Sequence, residues 1–304
     1  MKRLAIFTSR PSVHNTLRYF ALKRAFTALG VQVAGGPMAP VEDALQVFCR
    51  EFQPDTILEL DRSRQYHGHY LPDSIVHIAW LVHQEVAEKS PPQGSQLLYA
   101  LDPSFLPGKA TDYGAKRLDW LPAASDPHHF YYEEHPWQWE VSYAGGMADA
   151  HQLPLLRKVA QSNLKVAFYG SDHPELSHRY QGRLDSPQAL RQLYQTSCLN
   201  LHPGVMSHFR ALDCLAAGGV IGQWLAEENQ DLFKPDLHYV ALSGEDPLDK
   251  MAYYLARPAQ LRSMAKAAAA EVAAKHTWQQ RAVKILQDWH AITSSTFSSL
   301  GDPA

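Results

Sequence analysis

Cysteine is scarce in this chain of 304 residues: Cys49, Cys198 and Cys214 stand far apart, with no CxxC pair among them. That excludes a disulfide framework and a cysteine-built zinc site, and it points to a reducing, cytoplasmic setting. Long apolar runs are missing too; none approaches the roughly 20 residues that span a bilayer, so no integral membrane contact is expected. The basic start at Met1–Thr8 is followed by too short an apolar stretch for a signal-peptide core. Charge of one sign does not dominate: 28 Lys and Arg face 31 Asp and Glu, a net charge of −3. With no basic stripe, a large nucleic-acid footprint is not called for. Nor does the sequence repeat at any fixed period.

What is present is a globular composition, 45% hydrophobic and 19% charged. At roughly 150 residues per domain it suggests two domains. Strand and helix signals alternate. Leu4–Thr8, Val31–Ala34, Thr56–Leu60, Ile75–Val82, Leu97–Leu101 and Arg117–Leu121 read as short buried strands. Between the first two lies a helix with Leu17, Ala21, Leu22, Ala25 and Leu29 on one face, capped by Asn15 and ended by Gly30. Val41–Phe52 is a second helix. The proline-rich stretch Pro122–Pro136 interrupts the rhythm and reads as an interdomain connection.

After it the alternation restarts. Strands are expected at Glu140–Ala144, Val166–Tyr169, Leu199–Leu201, Val220–Gln223 and Tyr239–Leu242. Helices are expected over Leu153–Gln161, Pro187–Thr196, Phe209–Ala216, Asp246–Leu255, Pro258–Lys275 and Trp278–Ile292, with a Ser-rich tail at 293–304 that should fray. Strands separated by helices imply right-handed crossovers and parallel sheets. The fold class is therefore α/β: an N-terminal domain over 1–122, a linker to 136, and a C-terminal domain over 137–292, each doubly wound and Rossmann-like, facing one another.

Such sheets bind ligands at the carboxyl ends of their strands. In the C-terminal half Gly145 and Gly146 end one strand, where missing side chains admit a ligand to the backbone; a plain strand-to-helix turn would also use them. Tyr169 ends the next strand, and Gly182-Arg183 further on offers amides and a guanidinium to a phosphate or base. The segment His202-Pro203-Gly204 leads into a helix expected to start near Ser207, which can cap it. The amides of Ser207, His208, Phe209 and Arg210 then suit an anion, with the helix dipole behind them. Asp213 lies about one and a half turns further in, within reach of a ribose; a solvated carboxylate on a capped amphipathic helix is the alternative.

The pattern VSYAGG, KVAFYG, YQGRL, LRQLYQTSCLNLHPG, FRALDCLAAGGV and AAAAEVAAKHTWQQRAVKIL resembles the C-terminal domain of group 1 glycosyltransferases over about residues 140–290. It is most similar to the branch with spore-maturation CgeB-like proteins. FQPDTILELD, IAWLVHQE and LPAASDP carry a weaker likeness in the first half. The resemblance implies a GT-B fold, with a nucleoside-diphosphate sugar, UDP- or GDP-linked, held mostly by the second domain across a cleft from the first. It implies that Asp213 holds the donor ribose, where relatives more often have Glu. It also implies a carboxylate eight positions earlier facing the sugar, but that position is Val205.

Catalytic candidates then fall on strand-end loops of the first half: His83, which the resemblance places at the donor sugar, with Glu85 and His14; Ser12 and Arg10 are candidates for the acceptor side. The pairs His67/His69 and His128/His129 lack the surrounding ligands of a metal site, and no metal or cofactor is expected. The expected activity is metal-independent hexosyl or pentosyl transfer to an acceptor left open among protein, polysaccharide, metabolite and modified nucleobase. Alternatives are a degenerate GT-B domain that binds nucleotide or carbohydrate without turnover, or a sugar-nucleotide epimerase.

Overall fold

The computed structural model describes residues 1–8, 12–37, 42–60, 74–81, 95–101, 115–146, 152–224, 232–243 and 246–298. The chain divides into two compact units, Met1–Ala123 together with Trp278–Ala304, and Ala124–Thr277.

The first unit holds strands β1 (Arg3–Thr8), β2 (Gln32–Gly36), β3 (Thr56–Leu60), β4 (Val76–Leu81), β5 (Leu97–Ala100) and β6 (Arg117–Trp120). They form one sheet in the order β2-β1-β3-β4-β5-β6, parallel throughout. Being covered on both faces, its central strands are near-continuous apolar runs; all five residues of β3 are buried. Helix α1 (Val13–Ala28) is capped by Ser12, whose Oγ accepts from Asn15 N at 3.0 Å. Asn15, expected as the cap, instead sits buried inside the helix and accepts from Arg18. Starting the helix at Val13 aims Tyr19, Leu22 and Phe26 inward, while Leu17 and Leu29 stay half-buried. Helix α2 is Glu42–Phe52.

In the second unit, strands β7 (Trp139–Gly145), β8 (Val166–Gly170), β9 (Tyr180–Gly182), β10 (Ser197–His202), β11 (Ile221–Gln223) and β12 (Val240–Ala241) run parallel in the order β12-β11-β10-β7-β8-β9. Helices α3 (Leu153–Gln161), α4 (Pro187–Gln195), α5 (Phe209–Ala216), α6 (Pro247–Leu255) and α7 (Pro258–Lys275) belong to the same unit. Its core gathers Val141, Leu156, Phe168, Leu199, Val240 and Leu261. β9 lacks an apolar run, Tyr-Gln-Gly, and is not among the strands expected from the sequence; it is the edge strand, and Tyr180 donates its hydroxyl to Gly170 O at 2.8 Å.

The segment after Ala123 packs within the second unit. Ser125 pairs with Thr277 as an isolated bridge, Phe130 is buried, and Arg191 and Gln195 donate to the carbonyls of His129 and Tyr131, both at 2.9 Å. The final helix α8 (Trp278–Ser298) belongs to the first unit and runs past Ile292, where fraying was expected. There Thr293 donates its hydroxyl back to Trp289 O at 3.1 Å. Trp278 packs edge-on against Trp80 with centroids 5.9 Å apart, and buried Arg281 donates to Pro122 O and Ala123 O at 2.7 and 2.9 Å. Tyr99 donates to Asp288 at 2.5 Å, and Lys284 bridges Asp119 and Asp288. No described helix is long and apolar enough to cross a membrane.

Candidate active site

In the second sheet the chain winds outward from β7 through β8 to β9 on one side, and from β10 through β11 to β12 on the other. The switch point therefore lies between β7 and β10, where a doubly wound sheet opens a crevice at its carboxyl edge. β7 ends there in Gly145-Gly146 and β10 in His202.

A side chain at the first of these positions would have to displace its neighbours. A Cβ on Gly145 would stand 2.4 Å from the Tyr143 hydroxyl and 3.0 Å from Arg210 Nη1, whereas one on Gly146 meets nothing nearer than Ser171 Oγ at 3.8 Å. Gly170, one strand over and paired in register with Gly145, has φ +119°, and a Cβ there would lie 2.1 Å from Gly145 O. Tyr169 is half-buried beside Ala144 and in register with Gly182, so Arg183 follows at the sheet's far edge, exposed. Sequence reading missed Gly170 and Tyr143. The first is betrayed only by its backbone conformation; the second hydrogen-bonds Gly146 O at 2.7 Å and so shapes the turn.

Helix α5 runs over the expected Phe209–Ala216, and His208 caps it: its Nδ1 accepts from Arg210 N at 3.3 Å. Ser207 was expected in that role. The turn that hydrogen-bonds His208 N to Val205 O at 3.1 Å instead folds Ser207 inward, where its Oγ is fully buried without a hydrogen-bond partner. Phe209 buries its ring, leaving its backbone amide at the helix start. Arg210 is exposed and reaches back to donate to Ala144 O at 3.0 Å, joining the helix start to the end of β7. Asp213, three residues on, shares the Arg210 face and is half-buried; its Oδ1 accepts from Ser125 Oγ at 2.7 Å.

Loss of water and the Arg210 charge push the His202 imidazole down to about 4, so the ring is neutral at physiological pH. Beneath it Ser142 donates to Asn200 at 2.8 Å, closing the crevice floor. Burial and the Asp213 charge hold the Cys214 thiol well above its ordinary range, which makes it a packing group, not a nucleophile.

The structure thus brings Gly145, Gly146, Tyr169, Gly182, Arg183, His208, Arg210 and Asp213 to one edge of one sheet and its adjoining helix, with Ser207 and Phe209 turned into the core. In the first unit the switch point lies between β1 and β3; exposed Ser12 and His14 begin α1 there. Arg10, His83 and Glu85, like His67 and His69, lie outside the described residues. Among those described, no three metal-ligating side chains gather.

Residues 152–287 match the family model described as glycosyl transferase-like. A search among curated proteins finds no match. Among solved structures the chain is similar to a sucrose-phosphate synthase from Thermosynechococcus elongatus, with TM-score 0.71 and 14% identity over 97% of this chain and 100% of that one. It is also similar to a glycosyltransferase from Rickettsia africae, with TM-score 0.65 and 9% identity over 96% and 99%. The Anabaena protein HepE in complex with UDP-glucose follows, with TM-score 0.62 and 13% identity over 95% and 100%. Sheet order, strand direction and these likenesses establish the GT-B fold, and within it the chain carries a glycosyltransferase-like domain at residues 152–287.

Proposed function

We propose that the chain transfers a hexose or pentose from a nucleoside-diphosphate sugar to an acceptor, without a metal ion or cofactor, in the manner of the CgeB-like branch of group 1 glycosyltransferases. One observation carries this reading: the switch point of the second sheet joins a crowded glycine, a capped helix start and the Arg210 guanidinium at one place. The α5 amides and Arg210 would face the diphosphate, balancing the charge that builds on it as the sugar departs. Asp213 would accept from the ribose hydroxyls, and the Gly145-Gly146 backbone would leave room for the donor. His83, Glu85 and His14 are proposed to act on the sugar and the acceptor proton, with Ser12 and Arg10 on the acceptor side.

A UDP-sugar is the first choice of donor, because the similar HepE structure holds UDP-glucose; GDP-sugars come second. The acceptor class stays open among protein, polysaccharide, metabolite and modified nucleobase. Binding without turnover is favoured by one observation, the apolar Val205 at the position that carries a carboxylate in many retaining relatives. Incubation with a panel of UDP- and GDP-sugars and candidate acceptors, reading released nucleoside diphosphate, separates the two. Acceptor-dependent release establishes transfer, whereas tight binding with no release from any pair establishes a binding module. His83→Ala should then lower turnover while leaving binding of the bare nucleoside diphosphate unchanged.

A further inference from the structure

Away from the strand ends, the second unit has a groove of about 340 Å³ between the segment after Ala123 and helix α7. One wall is Pro127, Phe130, Tyr131 and Tyr132. Ala270, Ala273 and Lys266 of α7 form the other, over a floor that includes Ala216 and Val272. Three features distinguish it from an ordinary surface furrow. First, its volume falls in the range of small-molecule sites, and its walls are almost wholly apolar. Second, α7 presents exposed Ala270 and Ala273 where a solvated helix face would carry charge.

Third, the aromatic wall is already set in place. Arg191 stacks on the Tyr131 ring at 4.1 Å. The Tyr132 ring lies against Gly218, where an added Cβ would come within 2.4 Å of it. Phe130 is buried beside Tyr194, with centroids 6.5 Å apart. Arg191, Gln195 and Arg262 each donate to a backbone carbonyl of the segment, at His129, Tyr131 and His135. Rings fixed in this way lose little freedom when a ligand arrives.

We propose that this groove is a second ligand site, for a small ring-bearing anion. Flat apolar walls of alanine and tyrosine fit a planar ring system. Among the described residues lining the groove, Lys266 alone carries charge, and its ammonium is largely exposed at the mouth, with Glu134 3.5 Å away. Glu134 is shared with Arg262 at 3.6 Å, so the three groups leave one positive charge in excess, which suits an anionic substituent on the ring. The groove meets the donor crevice at Ser125, which lines it and donates to Asp213, but its aromatic wall and its α7 wall lie apart from the strand ends, so competition with UDP tells the two sites apart.

The test uses the whole chain and the dye 1-anilinonaphthalene-8-sulfonate, which carries an aromatic body and one anionic group. Wild-type protein should show saturable, one-site fluorescence enhancement that excess UDP leaves unchanged. Ala273→Trp, an exposed position that fills the groove, should weaken binding at least tenfold. Ala274→Trp, exposed on the same helix outside the groove, should bind as wild type, and Lys266→Glu should weaken binding severalfold. Circular dichroism melts verify that each variant is folded. Displacement of the dye by UDP, equal binding by Ala273→Trp and wild type, equal loss in the 273 and 274 variants, or no saturable binding at all would overturn the proposal.

Discussion

The two units solve the same backbone problem with different residues, and the difference separates fold from site. In each sheet the second strand carries a glycine at positive φ at or next to its end, Gly35 at +110° and Gly170 at +119°. In each a Cβ would come within 2.1 Å of a carbonyl of the neighbouring first strand, Ile6 O or Gly145 O. A tyrosine hydroxyl donates to each glycine's carbonyl, Tyr19 at 3.1 Å and Tyr180 at 2.8 Å. The partner residue is what differs. In the first unit it is a buried isoleucine; in the second it is another glycine, itself crowded by Arg210 and Tyr143. Gly35 and Gly170 therefore serve the winding of the chain, whereas Gly145 makes room for the Tyr143 hydroxyl and the Arg210 guanidinium.

The sharpest way to break this comparison is to add the missing Cβ atoms. Gly35→Ala and Gly170→Ala should each destabilise their unit by about 4 kcal/mol, because positive φ and a backbone collision act together. Urea unfolding measures the cost; a wild-type midpoint for either variant would dissolve the symmetry.

Acid should divide the units next. His202 titrates near 4 in the folded chain against about 6.5 unfolded, so the unfolded state takes up the proton first. Its contribution is complete above pH 6.5 and drains away as pH falls towards 4, by up to about 3 kcal/mol. His202→Phe should flatten that part of the pH–stability curve.

Donor binding tests whether the crevice belongs to the second unit. Asp213→Asn should weaken UDP binding roughly ten- to a hundredfold, the worth of a charge-assisted hydrogen bond of about 1.5–3 kcal/mol. Calorimetry on a folded variant with unchanged affinity would remove Asp213 from the site. The smallest effect is expected at Gly182, whose φ is +114° but whose Cβ would meet open space. Gly182→Ala should cost only about 1 kcal/mol, which separates strain from collision.

Much of the fold was legible because parallel strands covered on both faces leave unbroken apolar runs; Thr56–Leu60, Leu153–Gln161, Phe209–Ala216 and Pro258–Lys275 have the bounds the sequence suggested. What stayed hidden was set by contacts between distant segments. The edge strand Tyr180–Gly182 exists because β8 offers it a partner, and Gly170 matters because of where Gly145 lies. The capping residues differ from expectation by one and three positions, His208 for Ser207 and Ser12 for Asn15. Several polar residues near a helix start can each cap it, and burial chooses among them: Ser207 was drawn inward and His208 took over. The candidate site is read from strand ends alone, whereas Tyr143 was out of reach, since its hydroxyl turns back onto its own strand's exit.

The membership of α8 in the first unit has a consequence for how the protein matures. Trp80, Tyr99 and Asp119 are made early, yet they are completed by Trp278, Lys284 and Asp288, which leave the ribosome only after the whole of 124–277. Ala124–Thr277, by contrast, is one uninterrupted stretch. During vectorial synthesis the second unit has all its parts first, and the earlier-made unit must wait for α8 to emerge.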